Sequence, residues 1–145
     1  MISKKARNRK KVISFIMRLV TLIKPGSLTH FQIKIIRKLV SIASHRRPSV
    51  KKNDVEKIQL DQLHLYRIIP NKIFDGKKIL FFHGGGFFIG NFNIYRNYVF
   101  FLAEVLGREI IFVEYKLSPE SKYPSQLEDA KKAYSFLLGK EETPN

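Results

Sequence analysis

The stretch that most constrains the fold is KKILFFHGGGFFIG, residues 77–90, in which a short apolar run ends in His83-Gly84-Gly85-Gly86. Residues 78–82 carry branched and aromatic side chains on both faces, which predicts a strand buried on both sides within a sheet covered by helices. Three glycines straight after such a strand leave a backbone without Cβ atoms, able to take positive φ and to bring amide hydrogens against a ligand. A phosphate would use those hydrogens, but neither the Gly-Lys-Ser/Thr of a P-loop nor GxGxxG spacing follows. Two readings remain open at this point. One is an oxyanion hole, in which fixed amide donors hold the negative oxygen that forms when an ester carbonyl is attacked. The other is a tight turn that merely tolerates glycine.

Around this stretch the chain alternates. Residues 55–60 and 63–69, separated by Asp61-Gln62, read as a hairpin, and Asp75-Gly76 marks a turn before the strand at 78–82. A helix is expected over 94–106, with Tyr98, Phe101, Leu102 and Val105 on its apolar side and Gly107 as its stop. A second apolar strand follows at 109–115. A helix over 124–138 then turns Leu127, Ala130, Tyr134 and Leu137 inward, with Pro124 in its first turn. Strand, helix, strand, helix predicts an α/β fold with a mostly parallel sheet flanked by helices.

The formal charge of +15 is concentrated at one end. All 12 acidic residues lie from Asp54 onward, where they meet only 12 of the 27 basic ones. The chain is thus expected to divide into a basic helical, cap-like segment at 1–52 and a neutral body at 53–145. Within the basic segment, 1–11 reads as a disordered arm, 12–23 as a short helix and 45–52 as a linker. Over 28–43 an amphipathic helix is expected, with Phe31, Ile35, Leu39 and Ile42 on one face and Lys34, Arg37, Lys38 and Ser41 on the other. Such helices could lie on an anionic membrane, cover an apolar cleft, or pack on the body with their charged face solvated. Arg18 interrupts the apolar stretch and no small-residue cleavage pattern follows, which argues against an export signal. No apolar run approaches the roughly 18 residues needed to span a bilayer. The chain has no cysteine, and His30, His45, His64 and His83 lack metal-ligand spacing, so no metal site and no cofactor are expected.

Further along stands FVEYKLSPESKYPSQLEDAKKAYSFLL, residues 112–138. With His83 to Phe87 it makes the chain resemble the α/β-hydrolase superfamily, in its hormone-sensitive-lipase-like branch of esterases and lipases. That branch carries an HGGGF loop, a motif close to DYRLAPE, a proline and an EDA on the next helix. Here these stand as His83 to Phe87, Glu114 to Glu120, Pro124, and Glu128-Asp129-Ala130. The resemblance runs over about residues 55–138 and implies an incomplete α/β-hydrolase fold. It implies that Gly85 and Gly86 donate to an oxyanion, that Gly84 permits the turn, and that His83 braces the loop without acting as catalytic base. Glu114, Lys116 and Ser118 replace the more usual Asp, Arg and Ala, and a lysine cannot reproduce a bidentate arginine contact.

The family's nucleophile sits in a GxSxG elbow on the next strand, followed by an acid and a histidine. None of these is present: no serine lies between glycines at that spacing, and no histidine follows His83. The favoured reading is therefore the N-terminal portion of a carboxylic-ester hydrolase. It is expected to be inactive alone, with a small or medium uncharged ester as substrate and a complementary C-terminal fragment as partner. The strand at 78–82, deprived of one neighbour, is expected to form an exposed edge. The alternatives are a non-catalytic membrane-surface or nucleic-acid-binding protein working through its basic N-terminus, and a degenerate gene product. Of the charged partners, an anionic membrane contacted through 1–43 is expected before nucleic acid. The expected location is the cytoplasm, with or without peripheral membrane contact.

Overall fold

The computed structural model describes residues 29–44 and 55–139. The expected arm at 1–11, helix at 12–23 and linker at 45–52 lie outside the described residues. The described residues divide after Ile35 into two compact units, and the sheet and the candidate site belong to the second.

Helix α1, His30–Ser44, begins in the first unit. Its start is a reciprocal capping box. The Gln32 amide donates to Thr29 Oγ1 at 3.3 Å, and the Thr29 amide donates to Gln32 Oε1 at 2.9 Å. Phe31 and Ile35 are exposed and Ile33 is buried there. In the second unit, Leu39 and Ile42 are exposed while Arg37 is half-buried. The expectation of a solvated face containing Arg37 is corrected: a guanidinium with carbonyl and carboxylate partners can be the inward group of a helix whose Leu39 and Ile42 stay in water.

Strands β1 (Val55–Leu60), β2 (Leu63–Ile68), β3 (Lys78–Phe82) and β4 (Glu109–Glu114) form one sheet in the order β1-β2-β4-β3. The two-residue turn at Asp61-Gln62 can only return the chain antiparallel, and β1 pairs with β2 in that sense from Val55↔Ile68 to Leu60↔Leu63. Between β3 and β4 runs helix α2, Phe92–Leu106, a crossover that makes these two strands parallel. Since β2 also pairs antiparallel with β4, the sheet is mixed, with one parallel pairing among the three. Helix α3, Ser125–Leu137, follows β4. Pro124 stands at its cap, one residue outside the helix.

β4 is the axis of the domain, with five of its six residues buried. Alternate side chains enter opposite layers. Ile111 and Val113 join Leu60, Leu63, Leu65 and Ala133 on the α3 side, while Ile110 and Phe112 join Ile68, Phe92, Val99 and Ala103 on the α2 side. Each fully enclosed aliphatic or aromatic side chain contributes about 1.5–3 kcal/mol of transfer free energy.

The inward faces of α2 and α3 differ in part from expectation, although Leu102 and Leu137 pack half-buried against the core as expected. In α2 the buried positions are Phe92, Val99 and Ala103, while Tyr98, Phe101 and Val105 are exposed. In α3 the buried positions are Asp129 and Ala133, while Leu127 and Tyr134 are exposed. Small residues let a helix axis approach the sheet closely, and the bulkier apolar stripe is left on the outside. Among the described strands β3 has β4 on one side and no neighbour on the other, so it forms the edge. No helix among the described residues is long and apolar enough to cross a membrane.

Candidate functional site

The site is the turn that leaves β3. Gly85 and Gly86 take φ of 128° and 60°, and Phe87 follows at 64°. A Cβ on Gly85 would lie 1.8 Å from the Ile89 carbonyl oxygen, a backbone atom that cannot yield, so this position admits glycine alone. Gly84 lies outside the left-handed region, and a Cβ there would meet only the Tyr95 hydroxyl at an ordinary 3.5 Å. The turn is therefore made at Gly85 and Gly86, which corrects the expectation that Gly84 permits it. The Gly85 carbonyl accepts from the amides of Phe88 (3.2 Å) and Ile89 (3.0 Å), which closes the loop on itself. No acceptor among the described residues takes the amide hydrogens of Gly85 and Gly86.

His83 supports this loop from beneath and is 3 % exposed. Its ring stacks on Tyr115 (centroids 4.3 Å apart) and on Phe112 (5.5 Å), with Tyr95 tilted against it at 5.6 Å. Nδ1 lies 2.9 Å from the Gly84 carbonyl oxygen. A carbonyl only accepts, so Nδ1 carries the proton and Nε2 holds the lone pair. Burial lowers the pKa of His83 below the ordinary imidazole value, against an opposing pull from the Gly84 carbonyl and Glu114, and so favours this neutral form. Tyr115 donates to the His83 carbonyl at 2.5 Å, and Tyr95 donates to the Gly84 carbonyl at 3.2 Å. The carbonyls of residues 83, 84 and 85 are thus all engaged, while the amides of Gly85 and Gly86 are left unclaimed among the described residues. Gly90 closes the same corner, since a Cβ on it would fall 2.1 Å from His83 Nδ1.

A cavity of about 630 Å³ lies against the loop. Gly84, Gly85 and Gly86 line it with Phe82, Phe87, Tyr123, Leu127 and Ala130, and its polar neighbours include Ser118 and Gln126. No residue with a formal charge lines it once His83 is neutral. Its chemistry is that of an apolar recess with unclaimed backbone donors on one wall, suited to an uncharged molecule that places an electron-rich oxygen there.

The segment after β4 buttresses this wall. Glu114 accepts from the Phe92 amide at the start of α2 (3.0 Å) and from the Tyr66 hydroxyl (3.0 Å). Burial, then the Glu114 charge, pushes the Tyr66 pKa up to about 12. Asp129, buried in α3, accepts from the Lys116 amide (2.8 Å) and its ammonium (3.2 Å). Lys116 thus meets one carboxylate oxygen from its side chain and the other from its backbone. The Ser118 amide donates to the Phe87 carbonyl at 2.8 Å, which joins this segment to the glycine loop.

His83, Gly84, Gly85 and Gly86, singled out from the sequence, thus stand together on one cavity wall. Ser118 Oγ donates to the Ser121 carbonyl at 3.2 Å. Sequence reasoning missed two contributors. Gly90 carried no motif signal beyond its spacing from His83. Arg37 was assigned to water, yet its guanidinium reaches the carbonyls of Phe88 and Ser118 at 2.6 Å each.

Comparison with known proteins gives a consistent likeness. Residues 79–144 match a family model described as alpha/beta hydrolase fold. An acetyl-hydrolase of Streptomyces hygroscopicus is 34% identical over 64 residues, which are 44% of this chain and 21% of that protein. Among solved structures, the Francisella virulence factor BioJ superposes with a TM-score of 0.64 at 27% identity, covering 94% of this chain and 40% of the other. An esterase from the bacterial hormone-sensitive lipase family gives 0.69 at 23% identity, a likeness of fold, covering 96% of this chain and 44% of its own. The chain therefore spans less than half the length of each.

Proposed function

We propose, from the match of residues 79–144 to a family model of the α/β hydrolase fold, that the chain supplies the oxyanion-hole half of a carboxylic-ester hydrolase. The observation that carries this reading is the pair of unclaimed amides at Gly85 and Gly86 on the wall of an uncharged recess. In water such donors would gain little from an ester oxygen. Fixed in an apolar wall, they act without reorganisation on charge that develops during attack. The substrate class that fits is a small or medium uncharged ester, its carbonyl oxygen against the glycine loop and its chain along Phe82, Phe87, Leu127 and Tyr123.

The chemistry then runs as follows. A serine hydroxyl adds to the ester carbonyl carbon and its proton passes to a base. The carbonyl electron pair moves onto the oxygen, which accepts from Gly85 and Gly86. Collapse of that intermediate expels the alcohol, with the proton returned to it. His83 is unsuited as the base: its Nδ1 is committed to Gly84 and its ring is enclosed among Tyr115, Phe112 and Tyr95. The 145 residues hold no GxSxG serine. The reading therefore assigns nucleophile, acid and base to a complementary segment that adds a strand to the open edge of β3. Hydrolysis of a chromogenic short-chain ester is measured for the chain alone and co-expressed with the stretch encoded downstream. Activity is expected only for the pair. Turnover by the chain alone, or a soluble stoichiometric pair without turnover, would overturn the reading.

A further inference from the structure

We propose that Arg37 is a positioning residue for the glycine loop: its guanidinium fixes the Phe88 and Ser118 carbonyls at one spacing, and so sets where Gly85 and Gly86 present their amides. The guanidinium is engaged along its whole edge. Nε donates to the Phe88 carbonyl and Nη2 to the Ser118 carbonyl, both at 2.6 Å. Glu120 holds the plane from the other side, accepting from Nη1 at 2.8 Å and Nη2 at 3.0 Å. The exposed Arg37–Glu120 pair would count for little as a surface ion pair. Charge-assisted bonds to two half-buried carbonyls from different segments are another matter, because only a planar fork reaches both at once.

The geometry connects this fork to the amides. Phe88 lies two residues beyond Gly86, inside the turn that the Gly85 carbonyl closes by accepting from Phe88 and Ile89. A shift of the Phe88 carbonyl is therefore carried through a single closed turn to Gly86. Apart from Arg37, the far side of the loop is joined to the segment after β4 by the Ser118 amide to Phe87 carbonyl bond, while Tyr115 holds only its near end at His83 and the ring of Phe87. A second cavity of about 280 Å³, lined by Arg37, Ile89, Gly90, Glu114 and Leu117 among others, gives the loop room to move once the fork is lost.

The catalytic consequence rests on the ester-hydrolase reading, but the positioning can be read without activity. Amide hydrogen exchange is followed in the isotope-labelled full chain at Ile89 and Ser118, with Phe112 and Val113 of β4 as internal reference. In Arg37→Met, exchange at Ile89 and Ser118 is expected to rise about tenfold or more while β4 is unchanged. Arg37→Lys keeps the charge and is expected to restore less than half of that loss on a logarithmic scale. Glu120→Gln, which leaves both carbonyl contacts, is expected to change exchange by less than about threefold. Unchanged exchange at both amides, full rescue by lysine, or an equal rise in β4 would each overturn the proposal. If Arg37→Met does not fold, Arg37→Lys decides alone, with a rise confined to Ile89 and Ser118 required. In the complemented pair the same lysine variant should lower kcat with little change in KM. A pair without turnover would refute the hydrolase reading and leave the exchange result standing.

Discussion

Gly90→Ala should unfold the corner on which the glycine loop rests. The residue has φ of 132°, a conformation that costs a side-chain-bearing residue about 1–3 kcal/mol. Its new Cβ would stand 2.1 Å from His83 Nδ1 and 2.3 Å from Cε1. To reach ordinary contact the imidazole would have to move roughly 1.5 Å. It has nowhere to go, since Tyr115 and Phe112 stack against it and Tyr95 leans on it. Forced overpacking costs about 1–3 kcal/mol, and losing the bond to the Gly84 carbonyl about 0.5–1.5 kcal/mol more. Together these amount to roughly 2.5–7.5 kcal/mol, a large part of the 5–15 kcal/mol by which a domain is ordinarily stable. Gly76→Ala is the control, because Gly76 also has positive φ (66°) but a Cβ there meets nothing within 4 Å. That change should cost only about 1–2 kcal/mol. Urea unfolding of the full chain can be followed by tyrosine fluorescence, as the sequence has six tyrosines and no tryptophan. If Gly90→Ala falls within about 1 kcal/mol of Gly76→Ala, His83 is not held where the account places it.

Three other outcomes follow from the same contacts. Tyr66 should titrate near 12, by ultraviolet absorbance of the phenolate, and fall back toward 10 in Glu114→Gln. Because the raised value belongs to the folded state, its contribution to stability is complete below about pH 10 and is lost as pH rises through about 12; Tyr66→Phe should remove that dependence. Asp129→Ala, which strands the half-buried Lys116 amide and ammonium, should destabilise by about 1–3 kcal/mol in urea, whereas Asp129→Asn, which keeps an acceptor, should cost less than half as much. The open β3 edge should make the chain self-associate, and Phe82→Lys should reduce that in sedimentation velocity; a monodisperse wild-type monomer would contradict it.

The order of strands and helices was legible because its signals are local. The apolar runs of β3 and β4, Asp61-Gln62 and Gly107 each mark their own position. Which face of a helix turns inward was not. In α2 apolar residues surround the axis, and bulk pointed to Tyr98, Phe101 and Val105 when the sheet takes Val99 and Ala103. Sheet sense depended on how β2 meets β4, a pairing across more than forty residues that no local pattern encodes. At the site, the glycine run disclosed the loop and its aromatic floor stayed hidden. Tyr95 and Tyr115 come to His83 from α2 and from the end of β4, elements whose approach only the folded chain defines. Arg37 was hidden for another reason. On an amphipathic helix a cation is assigned to water unless its acceptors can be seen, and two of them here are backbone carbonyls.

The most direct test of the account removes the Gly86 N–H donor; because the replacement also weakens the Gly85 carbonyl as acceptor for Phe88 and Ile89, hydrogen exchange at the Ile89 amide is measured alongside to show that the turn is intact. In the complemented pair, the amide N–H of Gly86 is replaced by an ester oxygen through semisynthesis, and the single-turnover acylation rate is measured with a short-chain chromogenic ester. If this amide holds the developing oxyanion, the rate should fall about 10²–10³-fold with substrate affinity little changed. A rate within about threefold of the unmodified pair would show that the loop is a turn and not a site.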